Sequence, residues 1–390
     1  MTLTIHYFVK GCECMKVKIA EIGDLHFGIR DSERLYNELS IFKYFIKTND
    51  IDIVQFNGDY FDRKMNLGEP ASLLGIRFFS EVCEICKEKN IKVRIIEGTE
   101  SHDLFQPRIF TNFATDGLDL RFIERAEVEE INGLKILYLP EEYPQDSEEY
   151  YKEFKNQEYN LIFGHGAWDF VSFESMKENG MRKDINTAPV FIWNEWKKTV
   201  PHGLIVFGHI HGRNIYKVKK AAKIIYPGAF TRWGFDEISP RGFTYIEYDT
   251  DKKYYTYQLI DNTAAPIYQT IDVSSLEIDF DNVSLEEIKA TLDKEIEKAN
   301  FTRFDFSRIP DEKVTAIRKL YKDNNLVAVK VKDKKEITQE TGINDEFYQK
   351  YRYLLDNQLP LDEVIFRFIK EEYKEKVPLE YIRETLLAKE

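Results

Sequence analysis

The chain has 390 residues, of which 43% are hydrophobic and 32% charged, and its formal net charge at pH 7 is −13. This length allows a large core shared by two or three domains, and the composition is that of a globular protein. No apolar run reaches the ~18 residues of a transmembrane helix, no signal-peptide pattern opens the chain, and the negative charge argues against indiscriminate polyanion binding.

Residues 1–14 have no regular pattern, and Met15 directly precedes the first predicted strand, so we expect 1–14 to be a disordered leader. The Cys83–Cys86 spacing fits either a zinc half-site or two ordinary helix positions. The second interpretation is favoured, because the only partner pair, Cys12 and Cys14, lies in this leader. The cysteines do not imply a disulfide framework, so the expected location is a reducing cytoplasm.

The first half of the chain alternates predicted strands and helices, which is typical of an α/β domain. One helix is predicted over about 72–89 and has more apolar surface than one face needs. Burial within the fold is favoured over a subunit contact for that surface. Asn132-Gly133 between two apolar stretches predicts a tight hairpin turn. Five strands end at a glycine whose loop carries Asp or His, and they are predicted at 17–22, 51–56, 92–97, 160–163 and 204–207.

His209 and His211 follow the last of these strands two residues apart, so an extended backbone points both side chains the same way. Asp24 and His26 repeat this spacing after the first strand. A single His-x-His is more often surface decoration than a ligand pair. However, the chain has only 7 histidines, and five of them (26, 102, 165, 209 and 211) lie close to a glycine that ends an apolar run. Because sites form beyond the carboxyl ends of strands in open α/β sheets, we expect these loops to converge on a dinuclear metal site.

Asp, His and Glu ligands without thiolate suit Mn²⁺, Fe²⁺ or Zn²⁺. Two such ions ~3.5–4 Å apart activate a water and clamp a phosphoryl group for in-line displacement. Asp59, directly after Gly58, is the expected shared carboxylate. A leaving alkoxide also needs a proton, and His102 is the expected donor.

The pattern changes after about Asn262. The sequence predicts a strand at 267–273, a helix that starts at the capping box Ser284–Glu287, a further element at about 311–321 and a strand at 326–331. This strand–helix–helix–strand order predicts a small α+β domain. From about 340 the chain is predicted to be helical and rich in aromatic residues, so it either packs on its own domain or docks a partner. The expected domains are 15–262, 263–338 and 339–390.

The motifs Asp-x-His, Gly-Asp-x-x-Asp, Gly-x-x-x-His-Asp, Gly-His and Gly-His-x-His occur in this order between residue 15 and about 230. Together they resemble those of the calcineurin-like metallophosphoesterases. The segment from Tyr226 to Phe243 and the α+β unit after 262 are similar to parts of the nuclease subunits of SbcCD-type complexes. The resemblance implies an α/β fold, namely a four-layer β-sandwich flanked by helices, with a small α+β DNA-capping domain and C-terminal helices.

By position, the resemblance assigns one ion to Asp24, His26, Asp59 and His211, and the other to Asp59, His165 and His209. The third motif of the family usually supplies an Asn ligand, which is missing here. Ser101 or Glu100 is the expected substitute, with Ser101 favoured by register. His102 is implied as the catalytic acid, and Asp103 either orients it through a hydrogen bond or caps a helix. Substrate binding is assigned to Arg232 and Arg241.

The implied activity is exonucleolytic (3′→5′) and endonucleolytic hydrolysis of DNA in repair, recombination or replication. The implied cofactors are two Mn²⁺ ions, with Fe²⁺ or Zn²⁺ as alternatives. The implied partners are an SMC-like ATPase of the SbcC type, bound by the C-terminal helices, and a second copy of the chain. A small-molecule phosphodiesterase or phosphoprotein phosphatase with the same metal pair is the alternative, although neither needs the domain after 262. A non-enzymatic scaffold is disfavoured because the ligand histidines are present.

Overall fold

A computed structural model describes residues 16–114, 117–171, 189–218, 223–276, 278–280, 282–309, 311–322 and 324–331. The expected leader and the helices expected after about 340 lie outside these residues. The described residues 16–305 and 309–330 belong to one compact unit, while 306–308 group with the stretch from 331 onward. Among the described helices, none combines the length and the apolar character needed to cross a bilayer.

Most of the strands are short, as expected for a globular α/β domain. In chain order they are β1 (Lys16–Ile22), β2 (Ile53–Phe56), β3 (Lys92–Ile96), β4 (Leu120–Ile123), β5 (Glu127–Ile131), β6 (Leu134–Leu139), β7 (Leu161–His165), β8 (Ala167–Trp168), β9 (Val190–Phe191), β10 (Leu204–Gly208), β11 (Asn214–Lys217), β12 (Lys223–Tyr226), β13 (Gly242–Asp249), β14 (Tyr254–Asp261), β15 (Tyr268–Asp272), β16 (Phe301–Asp305) and β17 (Val327–Lys330).

The described helices connect these strands. They are α1 (Ser32–Glu38), α2 (Ser40–Thr48), α3 (Pro70–Lys89), α4 (Ser147–Lys155), α5 (Trp193–Trp196), α6 (Leu285–Ile296) and α7 (Asp311–Leu320), with 3₁₀ turns at Gln106–Phe113 and Val273–Leu276. The Asp31 side chain accepts a hydrogen bond from the Arg34 main chain and so caps α1. Ser284 and Glu287 form the predicted capping box of α6.

Two six-stranded mixed sheets form the centre of the molecule. The first has the order β14-β13-β1-β2-β3-β4 and the second β11-β12-β10-β7-β6-β5. In each sheet four neighbouring strands run parallel. Two antiparallel strands complete the first sheet at one edge, and one completes the second sheet at each edge. The parallel strands therefore end along one edge of each sheet, and their following loops start there.

The sheets pack face to face, because their strands alternate between two cores. In β10, Leu204 and Val206 lie in the core between the sheets, whereas Ile205 and Phe207 face the outer side. In β1, Ile19 enters the same central core, and Ala20 faces the helices on the outer side of the first sheet. This period-two alternation produces helices, sheet, sheet and helices as successive layers. The four-layer α/β fold that the resemblance implied is confirmed.

Helix α3 covers the outer face of the first sheet. Phe78, Phe79, Cys83 and Cys86 are all buried in that core, whereas Leu73 is 55% exposed. The two cysteines are therefore ordinary helix positions in the described structure, as the favoured interpretation held. Most of the apolar surface of α3 is used within the fold, and Leu73 is left at the surface.

The unit after residue 262 differs from its predicted order. Its sheet has the order β15-β16-β17, with all three strands parallel and α6 and α7 as the crossovers. The prediction missed β16, which lies between the two helices. This strand has only five residues, and three of them are polar, so its apolar alternation is too short to be seen in the sequence.

Candidate metal centre

The loops after five parallel strands meet at one end of the sandwich. Parallel pairing of β1 with β2, and of β7 with β10, aligns the ends of these strands. The main chains of the first two loops are joined by hydrogen bonds from Asp24 N to Gly58 O (3.1 Å) and from His26 N to Asp59 O (3.0 Å). The Asp24 carboxylate accepts a hydrogen bond from the main chain of His209 (2.8 Å), which joins the two sheets.

One group of potential ligands consists of Asp24, His26, Asp59 and His211, whose donor atoms lie within 4.8 Å of one another. The Nε2 atoms of His26 and His211 are 2.8 Å apart, and His26 Nε2 is 3.6 Å from Asp59 Oδ2. Ring nitrogens that face each other at this distance need a proton or a cation between them. This donor set therefore fits a divalent ion.

The second group consists of Asp59, His165 and His209, again within 4.8 Å. His165 Nε2 lies 3.3 Å from Asp59 Oδ1, while the other oxygen of Asp59 faces His26. Asp59 therefore presents one oxygen to each group, as a carboxylate shared by two ions does. The structure brings together the two ligand sets that the resemblance assigned, apart from the missing Asn.

Hydrogen bonds on the far side of the rings orient two of these histidines. His165 Nδ1 donates to the main-chain oxygen of Asn57 (2.7 Å), which leaves Nε2 for the cluster. His211 Nδ1 lies 3.5 Å from the Glu237 carboxylate, and that carboxylate is 3.5 Å from Arg241 Nη2. Such outer partners fix the tautomer of a metal-binding histidine and raise its basicity.

The electrostatics of the cluster favour a bound cation. Burial opposes ionisation of Asp59, but the adjacent His165 outweighs it and holds the pKa of this carboxyl well below its usual range. Burial likewise opposes charging of His165, yet the Asp59 carboxylate raises its pKa well above 6.5. Burial, reinforced by His165, lowers the pKa of His209 to about 3, so this ring is neutral and has a free lone pair. The positive charge that balances the Asp59 carboxylate is thus on His165, at the place where a metal ion would supply it.

Four of the potential ligands have a strained backbone. Their φ angles are positive, in a region that residues other than glycine rarely adopt. The values are 50° for Asp24, 53° for His26, 49° for Asp59 and 88° for His209. Each such residue costs about 1–3 kcal/mol and persists only where the surroundings hold it. Gly58 enables one of these approaches, because a Cβ there would lie 2.5 Å from His165 Nδ1. Four of the nine described non-glycine residues with positive φ are therefore potential ligands of the ions.

His102 lies beside the first group and, with His26 and Asp62, forms a third set of donor atoms within 4.8 Å of one another. Its ring packs edge-to-face on His26, with centroids 4.9 Å apart, and its Nδ1 donates to the main-chain oxygen of Asp62 (2.5 Å). The side chain of His102 is 32% exposed, so a substrate at the metal centre can reach Nε2. This placement fits the predicted role of His102 as a proton donor.

Asp103 does not orient His102 in the structure. It is fully buried, and its two oxygens accept hydrogen bonds from the main chains of Phe61 (2.9 Å) and Gly98 (3.0 Å). Asp103 therefore fastens the loop after β3 to the loop after β2. Asp62 provides the hydrogen bond to His102 that was predicted for Asp103.

The structure also differs from the prediction at Ser101. The main chains of His102 and Asp103 both donate to Thr99 O (2.8 and 2.9 Å), which closes a tight turn. This turn projects Glu100 and Ser101 outward, and both are exposed. Neither side chain belongs to a described ligand group. A ligand role for either one has no support in this geometry.

Two residues that the sequence analysis did not select lie beside the second group instead. The Thr99 hydroxyl lies 3.3 Å from Asp59 Oδ2, 3.3 Å from His165 Nε2 and 3.4 Å from His209 Nδ1. The Glu141 carboxylate, from the loop after β6, lies 3.7 Å from His209 Nδ1. Glu141 follows Leu139-Pro140 rather than a glycine, so the glycine-based pattern could not reveal it.

The two arginines assigned to the substrate have structural partners. Arg241 is 1% exposed and lies behind Glu237, so it is not accessible to a substrate in this structure. Arg232 is half-buried and donates to the main-chain oxygens of Ser239 and Pro266 (both 3.2 Å). Arg241 therefore contacts Glu237, which in turn faces His211, and Arg232 joins the segment after β12 to the unit after 262.

Two stacked sheets whose parallel strands end at a shared cluster of Asp and His define a metallophosphoesterase. A family model of the calcineurin-like phosphoesterases matches residues 17–213, and the chain belongs to this family. It is therefore a hydrolase of phosphoester bonds whose fold holds a dinuclear divalent-metal site.

The chain is also similar to solved structures of low sequence identity. TT1561 of Thermus thermophilus is 11% identical, with a TM-score of 0.33, and the match covers 63% of this chain and 99% of that one. A dimetal phosphatase from Danio rerio is 13% identical, with a TM-score of 0.31, over 59% of this chain and 92% of that one.

Proposed function

We propose that the protein is a Mn²⁺-dependent DNA nuclease with exonucleolytic (3′→5′) and endonucleolytic activity. The observation that carries this proposal is the pair of ligand groups joined by Asp59, with the partly exposed His102 beside them. Fe²⁺ and Zn²⁺ also suit these donors. The DNA substrate rests on the resemblance of the 226–243 segment and of the unit after 262 to SbcCD-type nucleases.

The residues of the centre have distinct tasks in this reaction. The metal pair supplies, when bound, an activated water and charge stabilisation at the phosphate. Asp24, His26, Asp59, His165, His209 and His211 would hold the ions. His102 is held through Nδ1 by the Asp62 main chain, which leaves Nε2 to donate a proton to the leaving oxygen.

The unit after 262, on which the DNA proposal partly rests, is fixed to the 232–241 segment by side-chain contacts. Arg232 binds the main-chain oxygen of Pro266 (3.2 Å), and Arg303 of β16 pairs with Asp236 (3.0 Å). The Trp233 main chain also donates to Glu237, the carboxylate that faces His211. The three-stranded unit is thus fixed to the segment behind the metal ligands, where a capping domain would bear on a bound duplex.

We further propose two partners, an SMC-like ATPase bound by the segment 339–390 and a second copy of the chain bound through α3. Leu73, exposed on α3, is consistent with a homodimer contact. For the ATPase, deletion of residues 340–390 is expected to abolish co-purification and leave a folded protein, as judged by circular dichroism. An intact complex after this truncation would exclude the docking role.

The test of the nuclease proposal is hydrolysis of end-labelled linear duplex DNA with Mn²⁺, with and without the cognate ATPase. We expect shortening from 3′ ends, with product sizes read on denaturing gels. The same enzyme is assayed on cyclic nucleotides and on a phosphorylated peptide. Rapid turnover of either small substrate without DNA cleavage would replace the nuclease by a small-molecule phosphodiesterase or a phosphoprotein phosphatase.

A further inference from the structure

The two ligand groups differ in the number of donors. Four residues surround the first position, whereas Asp59, His165 and His209 are the three ligands of the second. A catalytic site of this kind keeps positions open for water and substrate, but an ion with three protein ligands, one of them shared, is held more weakly than its neighbour. A fourth ligand at the second position would make the two metal positions equal in their number of protein ligands.

Glu141 is placed to be that donor. Glu141 is 6% exposed, and its Oε2 lies 3.7 Å from His209 Nδ1 and 3.9 Å from His165 Nε2. The described ion pairs of Glu141 involve only these two histidines, and no Lys or Arg among the described residues is paired with it. With no Lys or Arg partner in the described part of the chain, this buried carboxylate depends on the neighbouring histidines for its counter-charge, and a metal ion at the cluster would supply that charge instead.

The Thr99 hydroxyl has more acceptors around it than its single proton can satisfy. Its oxygen is 3.1 Å from Glu141 Oε2 and 3.3 Å from both Asp59 Oδ2 and His165 Nε2. Two of these atoms, Glu141 Oε2 and Asp59 Oδ2, are carboxylate oxygens and therefore acceptors. A hydroxyl has one proton to donate, so it satisfies only one of them. The remaining lone pairs converge on a space that a cation would fill.

The rest of the Glu141 side chain is held in this orientation. Tyr143 donates its hydroxyl proton to Oε1 (2.6 Å), which leaves Oε2 directed at the histidines. The main chain of Glu141 donates to Glu97 O (3.2 Å), so the end of β6 is anchored to the end of β3. A carboxylate fixed in this way is preorganised for a ligand.

We infer that Glu141 completes the second metal position, in place of the Asn that the third motif lacks. It adds a third carboxylate to a centre that otherwise has Asp24 and Asp59, and a hard anionic oxygen suits Mn²⁺ or Mg²⁺ better than a neutral amide does. The inference rests on the dinuclear centre of the family and is independent of the DNA substrate.

The test is a titration of the metal-free full chain with Mn²⁺, in which the electron paramagnetic resonance signal of free Mn²⁺ measures how much is bound. We expect the wild-type protein to bind two ions. Glu141→Ala is expected to keep one ion at wild-type affinity and to weaken the other by at least about 10–100-fold. Glu141→Gln is expected to lie between the two, since its amide oxygen can replace one carboxylate oxygen. It also provides a milder variant should the alanine substitution unfold the protein.

Glu142→Gln is the matched control, because Glu142 is the next residue and binds Tyr150 and the Ala126 main chain instead of the cluster. It is expected to bind both ions as the wild type does. Two ions at wild-type affinity in both folded Glu141 variants would overturn the inference, as would equal weakening in Glu142→Gln. A wild-type protein that binds fewer than two ions would overturn the dinuclear centre itself, whatever its activity on DNA.

Discussion

His102 is positioned mainly by a main-chain acceptor. Its Nδ1 donates to Asp62 O, while its ring packs on His26 and lies 3.9 Å from the Asp62 carboxylate. In the second group, by contrast, His165 is wedged between Asn57 and Asp59. His102 and His165 are therefore expected to have different roles, as proton donor and as metal ligand, and their substitution should affect different measurements.

We predict that His102→Ala lowers cleavage about 100- to 10,000-fold, because the leaving oxygen loses its proton donor. The metal content should stay at two ions per chain, measured by inductively coupled plasma mass spectrometry. His202→Ala, at an exposed histidine away from the cluster, is the control and should keep full activity. Loss of an ion from His102→Ala would make this residue a ligand instead.

At the scale of the element, the approach of the β2 loop to β7 depends on Gly58. Its φ is 81°, and an added Cβ would lie 2.5 Å from His165 Nδ1 and 2.7 Å from Gly98 Cα. We predict that Gly58→Ala destabilises the fold by roughly 1–3 kcal/mol and weakens Mn²⁺ binding. Urea unfolding measures the first effect and Mn²⁺ titration the second.

Gly68→Ala is the matched substitution, since nothing lies within 4 Å of its added Cβ. It should change the free energy of unfolding by much less than Gly58→Ala. Equal effects at the two positions would show that the tight contact at Gly58 is not a constraint.

Strand β1 has a buried acid outside the ligand groups. Glu21 is fully buried and accepts a hydrogen bond from Asn57 Nδ2 (2.9 Å), and burial raises its pKa from 4.5 to about 8. The folded protein therefore binds this proton more tightly than the unfolded chain does. Stability from the group is complete below about pH 4.5 and is lost as the pH rises towards 8.

Glu21→Gln cannot ionise, so it should gain stability relative to the wild type as the pH rises from 5 to 8. The gain between pH 5 and pH 8 should be on the order of 3–4 kcal/mol, since one pKa unit corresponds to about 1.4 kcal/mol. Urea unfolding at several pH values gives the difference, with Glu88→Gln at an exposed position of α3 as the control. A constant difference across this range would contradict a buried, protonated Glu21.

How well the sequence predicts each strand depends on the length and clarity of its hydrophobic pattern. Strands β1, β7 and β10 are buried on both faces, so they are visible as apolar runs that end at a glycine. The Asn132-Gly133 turn is confirmed, with Ile131 paired to Leu134 across it. Strand β16 was missed because its pattern is short, and the antiparallel strands β13 and β14 were not assigned at all.

The same reasoning explains which site residues were found. Asp24, His26 and Asp59 follow glycine-terminated strands, so the pattern selects them directly. Thr99 follows Gly98, but a hydroxyl is not a typical ligand, and the motif register pointed to Ser101 instead. Only the turn at 99–102 shows that Ser101 faces outward. Glu141 is brought in by pairing across two sheets, which the local sequence does not encode.

At the scale of the whole molecule, both ligand groups draw on both sheets. Asp24, His26 and Asp59 follow strands of the first sheet, and His165, His209 and His211 follow strands of the second. Bound ions would thus stabilise the folded state by mass action. We predict that Mn²⁺ at 100-fold excess over its Kd stabilises the fold by about 2.7 kcal/mol per ion.

Differential scanning calorimetry of the metal-free and Mn²⁺-loaded protein measures this effect as a rise in Tm. Ca²⁺, which prefers six to eight oxygen ligands, is the control ion and should raise Tm less. A Tm that does not respond to Mn²⁺ would mean that the cluster does not hold ions in the folded state.

The division of ligands between the sheets has a consequence for how the chain is assembled. During synthesis, Asp24, His26 and Asp59 emerge long before His209 and His211, so a nascent chain ending before β10 would lack a ligand of each ion. Hydrolytic competence therefore cannot develop stepwise and requires β10 and the loop that follows it. A fragment truncated before residue 204 would be inert towards phosphoesters, however well its first sheet folded.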